Sequence, residues 1–304
     1  MLRSSVLVIC SFLCLVPVMA LGQSTDAQRI EQCRQAVLAC QLQDGAIVTV
    51  AYREFGRHAL VEPYFAHLAC SGILAAEQFR PNFQNREFVA KWLKWYAMRE
   101  KTDDGIFVLD GIRGPDGLAN ARTMTPDSFD SYAALYLYVA GKHANVTKGK
   151  LDPNVVTTCL RMLAVLESCK SPNGLFWNFP PHTKPAGVVP AEYLLDNVEV
   201  YQGLKEISAP LAAVGRVKEA KRAVELAATL ANKLGEFWSP KDKYYVCMYE
   251  DRVAGVAFGN AASSDDGPRC PNCGGALIFE RFHRIRPPPL TQRATLASSP
   301  TNRR

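Results

Sequence analysis

The stretches DSFDSYAAL at residues 127–135 and DNVEVYQGL at residues 196–204 decide the fold of this 304-residue chain. Both begin with Asp, place an acidic residue three positions later, and continue with Tyr at the sixth and Leu at the ninth position. Each starts 22 residues after the glycine of an Asp-Gly or Asn-Gly pair, Gly105 or Gly174. Agreement in both pattern and offset predicts a tandem structural repeat.

Turn-plus-strand signals mark the boundaries of this repeat. They recur at intervals of 60, 69 and 68 residues and occupy residues 44–47, 104–107, 173–176 and 241–245. The Asp-Gly and Asn-Gly pairs in the first three accept the positive φ of a tight turn, and the β-branched or aromatic residues that follow favour a short extended segment. The sequence therefore predicts short strand-like turns between longer units.

Two helical patterns lie between consecutive signals. The first is apolar on nearly every side, as in SYAALYLYVA at residues 131–140, which is typical of a buried helix. The second carries charge on one face only, as in residues 217–237. Alternation of inner and outer helices predicts an all-α fold, an incomplete (α/α) toroid of three to four helix hairpins. A tetratricopeptide-type solenoid is the competing interpretation, but its period of about 34 residues is shorter and needs no strand-like turn.

Residues 1–22 are predicted to be a signal peptide. Arg3 gives a positive start, residues 6–20 are almost wholly apolar, and small residues precede a mature start near Gln23. The alternative is a membrane anchor, but an apolar run of about 15 residues is shorter than the roughly 20 needed to span a bilayer. We therefore expect a secreted or periplasmic protein without a membrane segment after cleavage.

The net charge of +6 comes from the C-terminal end of the chain. Residues 281–304 hold six arginines and no acidic residue, so the remainder is nearly neutral. A basic tail is not a basic binding face, which argues against nucleic acid as a partner. The composition of residues 254–304 predicts a disordered or non-native tail after a helical domain at residues 23–253.

Three stretches resemble a bacterial branch of the six-hairpin glycosidase superfamily: VEPYFA at residues 61–66, DSFDSYAA at residues 127–134 and LDNVEVY at residues 195–201. The resemblance implies an (α/α)6 toroid and action on carbohydrates, although the fold alone does not fix the reaction. A full toroid has six hairpins, and the sequence contains the pattern of three and the start of a fourth. We therefore expect a copy that is truncated at its C-terminus.

Acidic pairs at the starts of two inner helices are the candidate catalytic groups. Glycoside cleavage needs one carboxylic acid to protonate the leaving oxygen and one carboxylate as base or nucleophile. The i, i+3 spacing within each pair predicts a shared helix face at the rim of a central funnel. Asp130 and Glu199 are the preferred acid and base, with Asp127 and Asp196 in support. Alternatively, Asp127 caps its helix, and the preferred pair is a buried structural one.

Aromatic and polar residues near these pairs are predicted to bind the sugar. The set comprises Trp177, Tyr132, Tyr201, Glu62 and His67. Trp177 lies in a loop that we expect at the mouth of the funnel, and Glu62 begins EPYFAH at residues 62–67, a weaker copy of the repeat. Core packing is the alternative for the two tyrosines, and a structural role is the alternative for His67.

Metal and cofactor motifs are incomplete or missing from the sequence. CPNC at residues 270–273 is half of a zinc knuckle without the second pair of ligands, and no phosphate-binding glycine loop occurs. We therefore expect no cofactor and no metal. Cys70 and Cys159 lie in apolar helical runs and are predicted to be small buried hydrophobic residues. The sequence predicts a secreted, glycoside hydrolase-like protein, and the alternatives are a non-catalytic scaffold that binds glycan or protein and an inactive truncated remnant.

Overall fold

The computed structural model describes residues 26–51, 58–79, 81–103, 105–114, 116–182, 190–240, 244–245 and 248–250. The predicted signal peptide, the predicted tail at residues 254–304 and the CPNC stretch lie outside the described residues. The prediction of a mostly helical chain is confirmed. The helices are α1 (Asp26–Leu38), α2 (Pro63–Phe79), α3 (Phe83–Asp103), α4 (Asp130–Thr147), α5 (Pro153–Cys169), α6 (Leu194–Ala213) and α7 (Val217–Lys233). A short 3-10 helix follows at Leu234–Phe237.

Inner and outer helices alternate, as the hydrophobic pattern predicts. Helix α4 is buried on nearly all sides over its first four turns, because almost every position carries an apolar or small residue. Helix α7 instead buries five residues spaced by three or four, which form one face: Ala220, Ala223, Leu226, Ala227 and Leu230. The charged face of α7 is exposed to solvent. Together the hairpins form part of a helical toroid.

The inner helices α4 and α6 contact each other backbone to backbone. A Cβ atom built on Gly141 would lie 2.5 Å from the carbonyl group of Glu206, and one built on Gly203 would overlap the carbonyl oxygen of Ala134. Only glycine leaves room for this approach. The two helices that carry the predicted acidic pairs are therefore held side by side.

The repeat predicted from the turn signals has the same hydrogen bonds in two copies. The N–H of Leu42 donates to Ala46 at 2.7 Å, and the N–H of Ser171 donates to Leu175 at 2.9 Å. Gly174 has a φ of +95°, and its counterpart Gly45 has a φ of +108°. Each turn is closed by an isolated β-bridge, which accounts for the strand-like character read from the sequence.

A four-stranded antiparallel sheet was not predicted from the sequence. Its order is β1-β2-β3-β4, with β1 (Val50–Ala51), β2 (His58–Val61), β3 (Val108–Arg113) and β4 (Leu118–Met124). Strand β4 has the sequence LANARTM and is mostly exposed, so it lacks the alternation of apolar and polar residues that identifies a half-buried strand. The expectation of short strand-like turns alone was too limited in this region.

The chain divides into two compact units. The described part of the first lies within residues 26–235 and 248–250 and contains α1 to α7, β1 to β4, and the pair β5 (Ala191–Tyr193) and β8 (Met248–Glu250). The described part of the second comprises residues 236–240 and 244–245, and in it β6 (Trp238–Ser239) pairs with β7 (Tyr244–Tyr245). Within the described ranges, no helix combines the length and apolar character needed to cross a bilayer.

The structure places the two predicted buried cysteines in the core. Cys70 on α2 and Cys159 on α5 are both fully buried, and both are free thiols. Burial raises the pKa of each thiol above its ordinary value. Their role as small hydrophobic residues is confirmed.

Candidate active site

The sheet brings Glu62 and Asp127 to the same edge. Strand β2 ends at Val61, which pairs with Leu109, and β4 ends at Met124, which pairs with Val108. Both strands run antiparallel to β3, so their C-terminal ends lie at one side of the sheet. Glu62 directly follows β2, and Asp127 lies three residues beyond β4.

Helix α4 begins at Asp130 and not at Asp127. Phe129 is its N-cap residue, and no side chain caps the helix. The Asp130 carboxylate accepts hydrogen bonds at Oδ1 from the Ser131 N–H at 2.8 Å and the Ser128 hydroxyl at 2.6 Å. Asp127 is exposed and lies before the helix. The predictions that Asp127 caps α4 and shares a helix face with Asp130 were therefore wrong.

Helix α6 carries Asp196 and Glu199 in its first two turns, as predicted. Asn197 fixes this end of the helix: its side chain accepts from the Phe176 N–H at 2.8 Å and donates to the Phe176 and Tyr193 carbonyl oxygens at 3.0 and 2.9 Å. Asn197 is fully buried, so these three bonds satisfy polar atoms that water does not reach.

One loop residue, Asn178, links the starts of both acid-bearing helices. Its carbonyl oxygen accepts from the N–H of Phe129, before α4, at 2.6 Å. Its backbone N–H donates to the carbonyl oxygen of Ala191, on β5 before α6, at 3.0 Å, and its side-chain oxygen accepts from the Ala191 N–H at 3.0 Å. The loop therefore fixes the acidic groups of α4 and α6 relative to each other.

Two tyrosine–glutamate pairs cross this part of the structure. The Tyr64 hydroxyl donates to Glu199 Oε1 at 3.0 Å, and the Tyr132 hydroxyl donates to Glu62 Oε1 at 3.2 Å. The two tyrosine rings lie 5.8 Å apart. These contacts join the start of α2 to α4 and to α6, so all three inner helices contribute to the same site.

The two glutamates of these pairs hold their protons to unusually high pH. Burial, and then the charge of Asp127, raise the pKa of Glu62 to about 7, while the bond from Tyr132 lowers it. Burial, and then the charge of Asp196, raise the pKa of Glu199 to about 7, while the bond from Tyr64 lowers it. Near neutral pH, each group is present in both its acid and its base form.

The two aspartates at the helix starts interact with each other. Burial, and then the charge of Asp196, raise the pKa of Asp130 well above its ordinary value, against the hydrogen bonds from Ser128 and Ser131. Burial raises the pKa of Asp196 to about 7, the nearby Ser131 hydroxyl lowers it, and the charge of Asp127 raises it. Close carboxyl groups cannot all ionise together, so the group shares protons.

Two carboxyl oxygens of this group have no hydrogen-bond partner. They are Asp130 Oδ2 and Glu199 Oε2, and both are shielded from solvent. A buried polar atom without a partner is destabilising and uncommon in folded proteins. Because the other oxygen of each carboxyl is fixed by a donor, both groups are oriented and each still has a free acceptor.

The remaining residues predicted to bind sugar differ in position. Tyr132 lies in the site and bonds Glu62, while Tyr201 is partly buried with Lys205 Nζ 5.7 Å from its ring centre. Trp177 is only 7% exposed, so it offers no ring face to a ligand.

His67 is fully buried against the rings of Trp92, Tyr96 and Tyr136, at 5.3–5.6 Å between ring centres. Burial lowers its pKa to about 3, so it is neutral, and the structural alternative for His67 fits this position.

Sequence reasoning missed the residues that fix the site, namely Tyr64, Ser128, Asn178 and Asn197. Two signals were present. Asn197 and Ser128 occupy the same position of the repeat, next to the first Asp, and Tyr64 lies two residues after Glu62. Asn178 gave no signal. Among the residues that the structure describes, no group of three or more His, Cys, Asp or Glu side chains is arranged to hold a metal ion.

Comparison with known proteins identifies the fold. An unsaturated glucuronyl hydrolase from Bacillus sp. GL1, responsible for glycosaminoglycan degradation, superposes with a TM-score of 0.52 at 12% identity, over 73% of this chain and 61% of that one. An unsaturated glucuronyl hydrolase specific for heparin gives 0.52 at 12% identity, over 69% and 56%. A variant of such an enzyme with the sugar chain dGlcA-Glc-Rha-Glc gives 0.52 at 13% identity, over 74% and 61%.

These enzymes belong to the six-hairpin glycosidase superfamily, so the resemblance inferred from the sequence is confirmed at the level of the fold. This chain spans about three fifths of the length of the solved structures that it matches. No protein-family model and no curated protein matches it.

Proposed function

We propose that the chain is a carbohydrate-active protein that cleaves glycosidic bonds with paired carboxyl groups. The observation that carries the proposal is the convergence of Asp130, Asp196 and Glu199 from two inner helices, with the pKa of each raised. A hydrolase of this kind needs a protonated and an ionised carboxyl at the same pH. Carboxyl groups with a pKa of about 7 supply both near neutrality.

Asp196 and Glu199 are the proposed acid and base. Both are partly exposed, so a bound sugar can reach them, whereas Asp130 is fully buried. Asp130 lies close to both, since the charges of Asp196 and Glu199 raise its pKa. From the sequence, Asp130 and Glu199 were the preferred acid and base, and in this proposal Asp196 takes the place of Asp130. Asp127 and Glu62 lie next to Tyr132.

Turnover of defined oligosaccharides tests the proposal. We expect activity on at least one member of a panel that includes neutral oligosaccharides and the unsaturated glucuronyl oligosaccharides named for the similar structures. Asp196→Asn and Glu199→Gln should each lower kcat by about 100-fold or more, with an unchanged circular dichroism spectrum. Glu225→Gln, on the exposed face of α7, is the matched control and should retain full activity. Full activity of both site variants would refute the assignment.

A non-catalytic scaffold that binds glycan is the second candidate. The chain spans 61% of the first similar structure, and a shared fold alone does not fix the reaction, so binding without cleavage is the alternative to hydrolysis. Binding of an oligosaccharide without cleavage at any pH between 5 and 9 would support this candidate over a hydrolase.

We also propose that the protein is exported after cleavage of residues 1–22. The support is the positive, apolar and small-residue pattern of this segment. Expression in a bacterial host with the native N-terminus should yield protein outside the cytoplasm whose first residue is near Gln23. Retention of Met1 on a cytoplasmic product would contradict export.

A further inference from the structure

The site carries an unusual concentration of negative charge. Five carboxyl groups face one another, contributed by the start of α2, by the segment before α4, and by α4 and α6. They are Glu62, Asp127, Asp130, Asp196 and Glu199. The hydroxyls of Tyr64 and Tyr132 and the thiol of Cys169 also face them, and each of these acquires negative charge when it ionises.

The charges that act on this cluster have one sign. Among the described residues, each charged group that shifts the pKa of Glu62, Asp130, Asp196 or Glu199 is another carboxyl. The other groups that act on them are hydrogen-bond donors, namely tyrosine and serine hydroxyls and backbone N–H groups. A ligand therefore meets a surface whose electrostatic complement is a cation.

A second feature of the cluster is independent of its charge. Asp130 is fully buried and its Oδ2 has no hydrogen-bond partner, and Glu199, which is partly exposed, also has an Oε2 without a partner. A primary ammonium group has three N–H donors and no acceptor, so it satisfies free carboxylate oxygens. A carboxylate has acceptors only and would leave an ionised Glu199 Oε2 without a donor.

We propose that this site selects a sugar bearing a primary ammonium group over its N-acetylated counterpart and over a uronate. The inference rests on the proposed function, because it assumes that a sugar occupies the site, and it narrows the class of that sugar. A uronate would add a negative charge beside the five carboxyl groups and disfavour their ionised form. An amino sugar instead supplies N–H donors and the opposite charge.

Proton release distinguishes this mode of binding from simple affinity. At pH 6, carboxyls with a pKa of about 7 are largely protonated. A bound ammonium group favours their ionised form and lowers their pKa, so protons leave as the ligand binds. A neutral sugar has no such effect.

Isothermal titration calorimetry of the full chain at pH 6 tests the proposal. The probes are the β-1,4 dimer of glucosamine, its N-acetylated form, a galacturonate dimer and 1,4-diaminobutane. We expect the glucosamine dimer to bind at least about tenfold more tightly than the N-acetylated dimer. Among the sugars, only its heat of binding should depend on the ionisation enthalpy of the buffer, because only its binding releases protons. Glu199→Gln removes the charge of a carboxyl that a sugar can reach and should remove most of this preference, and Glu225→Gln should not.

Three results would overturn the proposal: equal or tighter binding of the N-acetylated dimer, tighter binding of the galacturonate dimer, or a diamine that binds as well as the amino sugar. If Glu199→Gln does not fold, Asp196→Asn provides the same comparison, because it removes the other carboxyl charge that a sugar can reach. Ammonium-selective binding without cleavage would refute the proposed hydrolysis and leave this inference standing. Cleavage of neutral sugars without a preference for an ammonium group would refute this inference and leave the proposed hydrolysis standing.

Discussion

Replacement of Glu199 by Gln should change how the stability of the chain depends on pH. Its pKa is raised from 4.5 to about 7, chiefly by burial and by the charge of Asp196. The folded chain therefore keeps this proton to a higher pH than the unfolded chain does, and the free energy of unfolding falls as the pH rises from about 4.5 to about 7. Glutamine cannot ionise and removes this loss, while its side-chain oxygen still accepts the Tyr64 hydroxyl.

The magnitude follows from the size of that change. A difference of about 2.5 in pKa, at about 1.4 kcal/mol each, gives an upper value of about 3 kcal/mol. Glu199 is partly exposed, so solvent screening reduces the expected effect to about 1–2 kcal/mol. Below about pH 4.5 the carboxyl is protonated in both the folded and the unfolded chain, so the pKa difference does not lower the free energy of unfolding there.

Urea unfolding at pH 4.5 and pH 8.5, followed by circular dichroism, measures the effect. We compare the free energy of unfolding of Glu199→Gln with that of the wild type at each pH. The difference, variant minus wild type, should be about 1–2 kcal/mol higher at pH 8.5 than at pH 4.5. Glu225→Gln removes an exposed carboxylate, 52% accessible, and should show no such difference. If Glu199→Gln gains nothing on going to pH 8.5, or loses stability there, the burial of this charge is refuted.

Three further substitutions, one of them with a matched control, test other parts of the account. Tyr64→Phe removes the donor that lowers the pKa of Glu199, so the acidic limb of the pH–rate profile should move to higher pH; an unchanged limb would exclude this contact from catalysis. Gly203→Ala should lower the free energy of unfolding by about 1–3 kcal/mol, because the added methyl group meets the backbone of α4. Gly72→Ala on α2 is the matched control: a methyl group there has open space around it, so the free energy of unfolding should stay unchanged or rise. Asn197→Asp places a carboxylate against two carbonyl oxygens and should cost about 3 kcal/mol by thermal or urea unfolding; a loss under 1 kcal/mol would contradict its bonding.

The helix hairpins could be predicted from the sequence because their signals are local. Apolar residues occupy nearly every side of the helix formed by SYAALYLYVA, so this helix has no face suited to solvent. The spacing of Ala223, Leu226 and Leu230 places them on one face of α7, which is the buried face. The turns at Gly45 and Gly174 follow from the need for a positive φ. Local patterns of this kind are sufficient to order the inner and outer helices.

Local sequence patterns could not predict the sheet or the residue at which α4 begins. Strand β4 is polar and exposed, so its pairing with β3 depends on backbone hydrogen bonds that leave no hydrophobic pattern. The position of the helix start at Asp130 depends on the loop residue Asn178, whose carbonyl oxygen fixes Phe129 from about 50 residues further along the chain. A repeat pattern aligns Asp127 with Asp196 but does not reveal that only the second lies within its helix.

The contacts that define the site are also long-range. Tyr64 and Glu199 are 135 residues apart, and Tyr132 and Glu62 are 70 apart. The sequence predicted four of the acidic residues as catalytic and Glu62 as sugar-binding, because carboxyl groups at inner-helix starts share a motif. It did not predict their hydrogen bonds, since these depend on how three helices pack. Burial likewise removed Trp177 and His67 from the surface, although their residue types suit sugar binding.

A carboxyl titration by NMR tests the central claim most directly. With 13C-labelled aspartate and glutamate in the full chain, signals assigned through Asp130→Asn, Asp196→Asn and Glu199→Gln report the protonation of each group. Convergence of these carboxyls in one buried cluster predicts that Asp196 and Glu199 titrate near pH 7 and Asp130 well above its ordinary value. Titration of all three near pH 4, with no effect of one substitution on the other two signals, would contradict it.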